Sequence, residues 1–405
     1  MSPRAPLYAQ LFSAVGHLYV HFFTAFYFVI VLALESEWRL PYHELIGLWS
    51  VGALMVGIGA LPAGWLGDRW SATGMMSIYF LGLGAASIWC GFADGPAALI
   101  VGLGALGLFA SIYHPVGIAW LVRSSVSRGK ALGFNGIFGG VGVAVAGLVA
   151  GALIDLFSWR AAFIVPGVIC ILTGLAFIVA VRLRLVVEGE ELVRKEAPPA
   201  RGDTLRAYAV LVFTMVVVAL LFQVAQTALP KVFDLRLRDV AGEGAFGIGA
   251  MVSAVFAVGG AMQIVGGYLA DRYPLKLVYL GSLFVEVPLV LTVAWIGGVP
   301  LLSAAMLMVM LATAALPAEN LLLARYTPAN HHSLAYGIKF VLTFGSAPVA
   351  IWLVSLSQAA TGEFTWLFTG IGAAAFAAGC AALLLPSDRA GRAAARSGPA
   401  IQPAE

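Results

Sequence analysis

Charge is what this sequence has least of. Asp, Glu, Lys and Arg make up 11% of its 405 residues, against about a quarter in a typical soluble domain. A water-facing surface for a chain of this length cannot be built from so few charges. Cysteine is nearly as scarce. Cys90, Cys170 and Cys380 lie far apart within apolar stretches, which excludes a disulfide framework and leaves them as small apolar residues. The formal net charge of +3 is too small to suggest nucleic acid as a partner. The phosphate-binding P-loop, H-E-x-x-H and G-x-S-x-G are all missing, so neither nucleotide-driven machinery nor these hydrolytic chemistries are encoded. GLGALG at 102–107 matches a dinucleotide fingerprint, but it sits in an apolar run with no strand before it and reads as helix packing.

Apolar residues are abundant, at 61%, and they come in runs that can cross a bilayer, for which a helix needs about 20 residues. Twelve spans are predicted, at 7–34, 42–66, 73–92, 96–122, 131–154, 159–182, 206–229, 245–270, 276–296, 299–324, 334–357 and 363–386. The expected fold is an all-α polytopic membrane protein with the lipid bilayer as its surroundings. The opening run follows a single basic residue, Arg4. It is longer than the apolar core of a cleaved signal peptide, about 7–15 residues, and is read as the first span.

Basic residues set the expected orientation. Arg69, Arg123, Arg128, Lys130, Arg182, Arg184, Arg272, Lys276 and Arg325 fall on the side that carries both ends of the chain, while Arg39, Arg160, Lys231, Arg236 and Arg238 fall on the other. The bias predicts cytoplasmic termini and a multi-pass plasma-membrane location, the bacterial inner membrane.

The chain also repeats itself. GWLGDRW at 64–70 returns as GYLADRY at 267–273, and RGKALGFN at 128–135 is echoed by HSLAYGIK at 332–339, each half a chain away. The repeat predicts two parallel six-helix bundles, at 1–182 and 206–386. A charged cytoplasmic linker at 183–205, containing Pro198-Pro199, joins them, and a cytoplasmic tail follows at 387–405.

G-x-L-x-D-R between spans two and three, repeated between spans eight and nine, resembles the signature loop of the major facilitator superfamily of transporters. Trp159-Arg160 with Phe163 at the start of span six fits the same resemblance, which covers the whole chain. It implies secondary transport by alternating access, with gating contacts at Asp68, Arg69, Asp271 and Arg272. An aspartate there can sit against the positive end of a helix from the opposite half, and the arginine can pair with a carboxylate. Such contacts form when the cytoplasmic side is closed. The segment GLFASIYHPVGIAW in span four is similar to one in fosmidomycin-resistance-type exporters, which implies export. Span four lacks the buried arginine common in proton-driven members, and glycine-rich span five lacks the proline of the antiporter branch.

In that fold, spans one, four, seven and ten line the central cavity, and each carries polar groups here. His17 and His21 stand four residues apart on one face of span one, His114 lies in span four, Gln223 and Gln226 in span seven, and Glu319 and Asn320 in span ten. Ionisable groups within the bilayer are costly and mark substrate or proton pathways. Histidine titrates near neutral pH, so His17, His21 and His114 are the candidate proton carriers, with Glu319 as the alternative. The His17/His21 spacing suits a metal, but no cysteine or carboxylate cluster accompanies it, so no metal or cofactor is expected. Pro115 predicts a kink that frees a carbonyl. Lys339 lies in span eleven, where the first repeat has Asn135, and a lysine there can snorkel to the cytoplasmic surface. If Lys339 faces the cavity, it joins the three histidines and favours an organic anion as cargo. Glu286 in span nine has no evident role.

The sequence therefore predicts a monomeric, proton-coupled secondary transporter that exports a small organic compound, anionic or amphiphilic. An importer or facilitator of a small organic anion is the alternative within the fold. A membrane-embedded enzyme or receptor is the alternative outside it, and no catalytic constellation supports that reading.

Overall fold

The computed structural model describes residues 5–124, 128–186, 204–327 and 332–386. Most of the expected linker and all of the expected tail lie outside the described residues. Among these, twelve helices are long and apolar enough to cross a membrane. They are α1 (Leu7–Trp38), α2 (Tyr42–Arg69), α3 (Ala72–Gly91), α4 (Pro96–Ser124), α5 (Arg128–Leu156) and α6 (Trp159–Arg182) in the first half. In the second are α7 (Leu205–Arg236), α8 (Phe246–Arg272), α9 (Leu275–Trp295), α10 (Gly298–Tyr326), α11 (His332–Thr361) and α12 (Thr365–Ala382). The side on which α1 begins and α12 ends is called the near side here, and the opposite one the far side.

Within the first bundle α3 lies along α6, α1 along α5 and α2 along α4. In the second, α8 and α9 lie along α10, α9 along α12 and α7 along α11. The bundles meet along two seams, α5 with α8 and α2 with α11. The α5–α8 seam depends on glycine. A Cβ on Gly249 would lie 2.2 Å from the Gly147 carbonyl oxygen, so the two backbones touch where any side chain would separate them.

Helix ends are satisfied by specific groups, as a lipid environment demands. Ser71 accepts a hydrogen bond from the Gly74 amide at the start of α3. At its end Arg160 donates to the carbonyls of Gly91 and Ala93, with its guanidinium over the Trp159 ring. Arg236 does the same for α9, donating to the carbonyls of Val293 and Ala294 and to Glu363. The outer surface is apolar, with Leu61 74% and Ile264 70% exposed. Exposed aromatics cluster at span ends, Trp65, Trp70, Tyr268 and Tyr273 on the near side and Trp89, Phe92, Trp295 and Trp366 on the far side. These are the positions where amphipathic rings meet lipid headgroups.

Within α4 the expected kink at Pro115 takes the form of a π-helical turn at Tyr113–Gly117. Proline has no N–H to continue the α ladder, and the wider turn accommodates that loss. It leaves Tyr113 directed into the bundle and His114 toward the opposite half.

Candidate functional site

Between the bundles, at mid-depth, lies a cavity of about 110 Å³. Its wall comprises Val20, His21, Thr24 and Phe28 of α1, Trp49, Ala53 and Val56 of α2, and His114 of α4. The second bundle contributes Phe222, Gln223, Gln226 and Thr227 of α7 and Thr343, Phe344, Ala347 and Ile351 of α11. His21, His114, Gln223 and Gln226 are thus brought together as expected. The expectation that span ten lines the cavity does not hold for this conformation. α2 and α11 close in instead, and Phe344 lies against His114 with ring centroids 4.7 Å apart. Glu319 and Asn320 contact Lys339 of α11 and are not part of the cavity wall.

His17 completes a histidine trio with His21 and His114. Ring centroids are 5.0, 5.5 and 5.4 Å apart, and His17 also stacks on Tyr113 at 5.1 Å. Its Nδ1 donates to the Asn135 carbonyl at 2.9 Å. The Asn135 side chain is buried and donates to Ser13 Oγ at 3.0 Å and to the Tyr113 hydroxyl at 2.8 Å. Tyr113 donates in turn to the Ser13 carbonyl, and Tyr79 from α3 donates to the carbonyl of Gly16.

The second bundle holds a counterpart. Lys339 is buried, and its Nζ lies 2.6 Å from Glu319 Oε1 and 2.5 Å from Asn320 Oδ1. Tyr279 from α9 donates to Glu319 Oε2 at 2.8 Å and also touches Thr214 of α7. Ser13, Tyr79, Tyr113 and Asn135 on the first, third, fourth and fifth helices of one bundle correspond to Thr214, Tyr279, Glu319 and Lys339 on the same helices of the other. One cluster is neutral and the other is an ion pair. This corrects the expectation that Lys339 joins the histidines and leaves its charge for an anionic cargo. Glu319 already neutralises it, and Lys339 does not line the cavity. Glu286, two turns beyond Tyr279 on α9, is buried, and its Oε1 finds no hydrogen-bond partner among the described residues.

On the far side the two bundles are latched. Lys231 of α7 pairs with Glu35 of α1 at 2.5 Å and with Asp234 at 3.1 Å, and Arg238 pairs with Asp234. Tyr42 donates to the Thr227 carbonyl, His43 to Gln358, and Ser355 to the His43 carbonyl. The Asp155 carboxylate, at the end of α5, accepts hydrogen bonds from the amides of Ala245 and Phe246, both at 2.8 Å. An aspartate from one half therefore does cap a helix of the other, but at the far side. Wherever both partners are described, the hydrogen bonds and ion pairs that join the bundles lie in this half. Three of the four near-side residues expected to gate make contacts within their own bundles. Asp68 pairs with Arg123 at 3.2 Å, Arg69 stacks on Trp65, and Arg272 donates to the Tyr268 hydroxyl. Asp271 is exposed.

Two six-helix repeats around a largely apolar chamber with a few polar groups, latched at one end, define a membrane protein of the transporter type. The chain belongs to the Major Facilitator Superfamily, whose sequence profile matches residues 13–242. Among curated proteins it is 32% identical over 135 residues to the uncharacterized MFS-type transporter Rv1250 of Mycobacterium tuberculosis. It is 30% identical over 138 residues to the puromycin resistance protein pur8 of Streptomyces alboniger. The matches take in 32% and 33% of this chain and span only 23% and 27% of those proteins. Solved structures with the same fold include a peptide transporter POT in complex with sulfate (17% identity, 93% of each chain, TM-score 0.74). Another is a D-xylose–proton symporter (14% identity, 95% of this chain and 99% of that one, TM-score 0.72). A third is an inward-facing, occupied bacterial homologue of the human lysosomal transporter Spinster (14% identity, 95% of each chain, TM-score 0.73). At these identities the likeness is one of fold.

Proposed function

We propose that this protein is a monomeric secondary active transporter that exports a small organic compound by alternating access, driven by proton influx. The observation that carries the proposal is the cavity between the bundles, closed at the far side by cross-bundle contacts. The distribution of basic residues supports assigning the near side to the cytoplasm of a bacterium. In that orientation Glu35, Asp155 and Lys231 form the extracytoplasmic latch. In the opposite state the latch parts. Asp68 and Asp271 are then available, with Arg69 and Arg272, to close the cytoplasmic side.

Export is favoured over import by the similarity to a puromycin resistance protein. The cavity wall, aromatic and aliphatic with two glutamines and two histidines, suits an amphiphilic cargo better than a strongly anionic one. Coupling is assigned to Glu319. It pairs with Lys339, which also donates to Asn320, and accepts from Tyr279, with Glu286 beyond Tyr279. A proton on Glu319 would leave the buried lysine bonded to Asn320 but without a counter-charge, a change of up to about 3–5 kcal/mol by analogy with broken buried pairs. The strain falls on the contact between α10 and α11, and α11 carries one wall of the cavity.

Purified protein in liposomes provides the test, with puromycin and a panel of amphiphilic organic compounds as cargo. Wild type should accumulate at least one of them against its gradient only when a pH gradient is imposed. Glu319→Gln should retain exchange between equal concentrations while losing that accumulation. Accumulation unaffected by the pH gradient, or by Glu319→Gln, would contradict the coupling assignment. No flux of any compound would contradict the transport assignment.

A further inference from the structure

The histidine trio has a geometry that proton coupling through Glu319 leaves unused. One ring nitrogen each of His17, His21 and His114 lies within 4.8 Å of one from each of the others. The sequence alone offered a pair, one turn apart on α1, and the π-helical turn of α4 supplies the third ring. We propose that these three imidazoles form a binding site for a divalent transition-metal ion of the zinc class, with the remaining coordination position open to the cavity.

Three features support a built site rather than a chance stack. First, a carbonyl can only accept, so the 2.9 Å contact with Asn135 places the proton of His17 on Nδ1 and leaves the lone pair on Nε2. A second hydrogen bond to a backbone carbonyl is how metal-binding histidines are commonly oriented. The Asn135 side chain is anchored in turn by Ser13 and Tyr113. Second, α5 packs closely on the ring at Gly139. A Cβ there would lie 2.7 Å from His17 Cε1 and 2.8 Å from Nε2, so any other residue would displace the imidazole from its place in the trio. Third, His21 and His114 both border the cavity, with Gln223 and Gln226 across it on α7. A water or cargo atom can therefore reach the open position.

Neutral imidazole suits zinc, cobalt, nickel and copper, while hard ions such as magnesium prefer oxygen. Tetrahedral zinc has Zn–N distances of about 2.0–2.1 Å, which puts ligand nitrogens about 3.3 Å apart. The rings must therefore draw together by at most about 1.5 Å, which small side-chain rotations can supply.

The test uses the full chain, purified without a histidine tag and free of metal, with Co2+ as a spectroscopic probe. Titration should give the intense visible bands of a tetrahedral nitrogen-ligated ion, with an end point of one ion per chain, and Zn2+ should abolish them. X-ray absorption of the zinc form should count three imidazoles. His17→Ala, His21→Ala and His114→Ala should each weaken binding tenfold or more, while Cys380→Ser, on the exposed face of α12, should leave it unchanged. Any variant that is not monodisperse is replaced by the corresponding His→Asn. Weak octahedral cobalt spectra, fewer than three imidazoles, or an affinity indifferent to all three substitutions would overturn the proposal. The transport assignment stands apart from each of these outcomes.

Discussion

Lys339 and Glu319 present the sharpest energetic choice in the molecule. Both are buried, and each satisfies the other. Removing one member strands a charge, whereas replacing both with well-packed apolar residues is often neutral or stabilising. Lys339→Met and Glu319→Gln should therefore each lower stability by about 3–5 kcal/mol, while the Lys339→Met/Glu319→Leu double variant should recover most of that loss. Thermal unfolding in detergent checks this, and strictly additive losses would mean that the pair is not coupled. Scarcity made both residues legible in the sequence, because charges in apolar spans stand out. Their partnership was not legible. Which way a side chain faces depends on the rotation of its helix within the bundle, and a lysine without a visible partner looked like a site for an anion. Ser13, Thr214, Tyr79 and Tyr279 passed unnoticed for a different reason. A hydroxyl is inexpensive in an apolar helix and leaves no compositional mark, so half of each polar cluster was silent.

At the scale of single helices, most starts were read to within a few residues, since 42, 96 and 159 each open a helix in the structure. Most ends ran longer than expected, with α1 continuing to Trp38 and α2 to Arg69, while α3, α9 and α12 stop short of 92, 296 and 386. Charged and aromatic residues at the bilayer boundary can continue a helix while reaching into the headgroup region, and a hydropathy criterion stops short of them. The bend in α4 was legible from Pro115, but its π-helical form depends on neighbours in α1 and α2. Glycines in α5 were visible as a group, yet only the structure separates Gly139, which faces His17, from Gly147, which meets Gly249 across the seam. Gly249→Ala should therefore wedge α5 from α8 against a backbone carbonyl, lowering stability by about 1–3 kcal/mol as in overpacked cores. It should also raise thiol labelling at the far side of the cavity. Unchanged melting together with unchanged labelling would show that the seam is looser than the contact implies.

For the whole molecule, the repeat in the sequence already announced two bundles, and the structure bears out twelve helices in that arrangement. The side on which the bundles are joined was not legible, because it belongs to a conformation rather than to the chain. The signature aspartates drew attention to the near side, while the contacts present here, Glu35 with Lys231 and Asp155 with the start of α8, are on the far side. In the proposed cycle these contacts hold one of two alternating states. Paired spin labels measure it directly, with Cys380 replaced by serine and labels at Phe157 and Val240 on the far side or at Trp70 and Tyr273 on the near side, all exposed positions. In the wild-type background the far pair should give one short distance. Combining Glu35→Gln with Asp155→Asn should lengthen the far distance and shorten the near one in the same molecules. If the two distances lengthened together, or if neither moved, the far-side contacts would not be the latch of an alternating-access cycle.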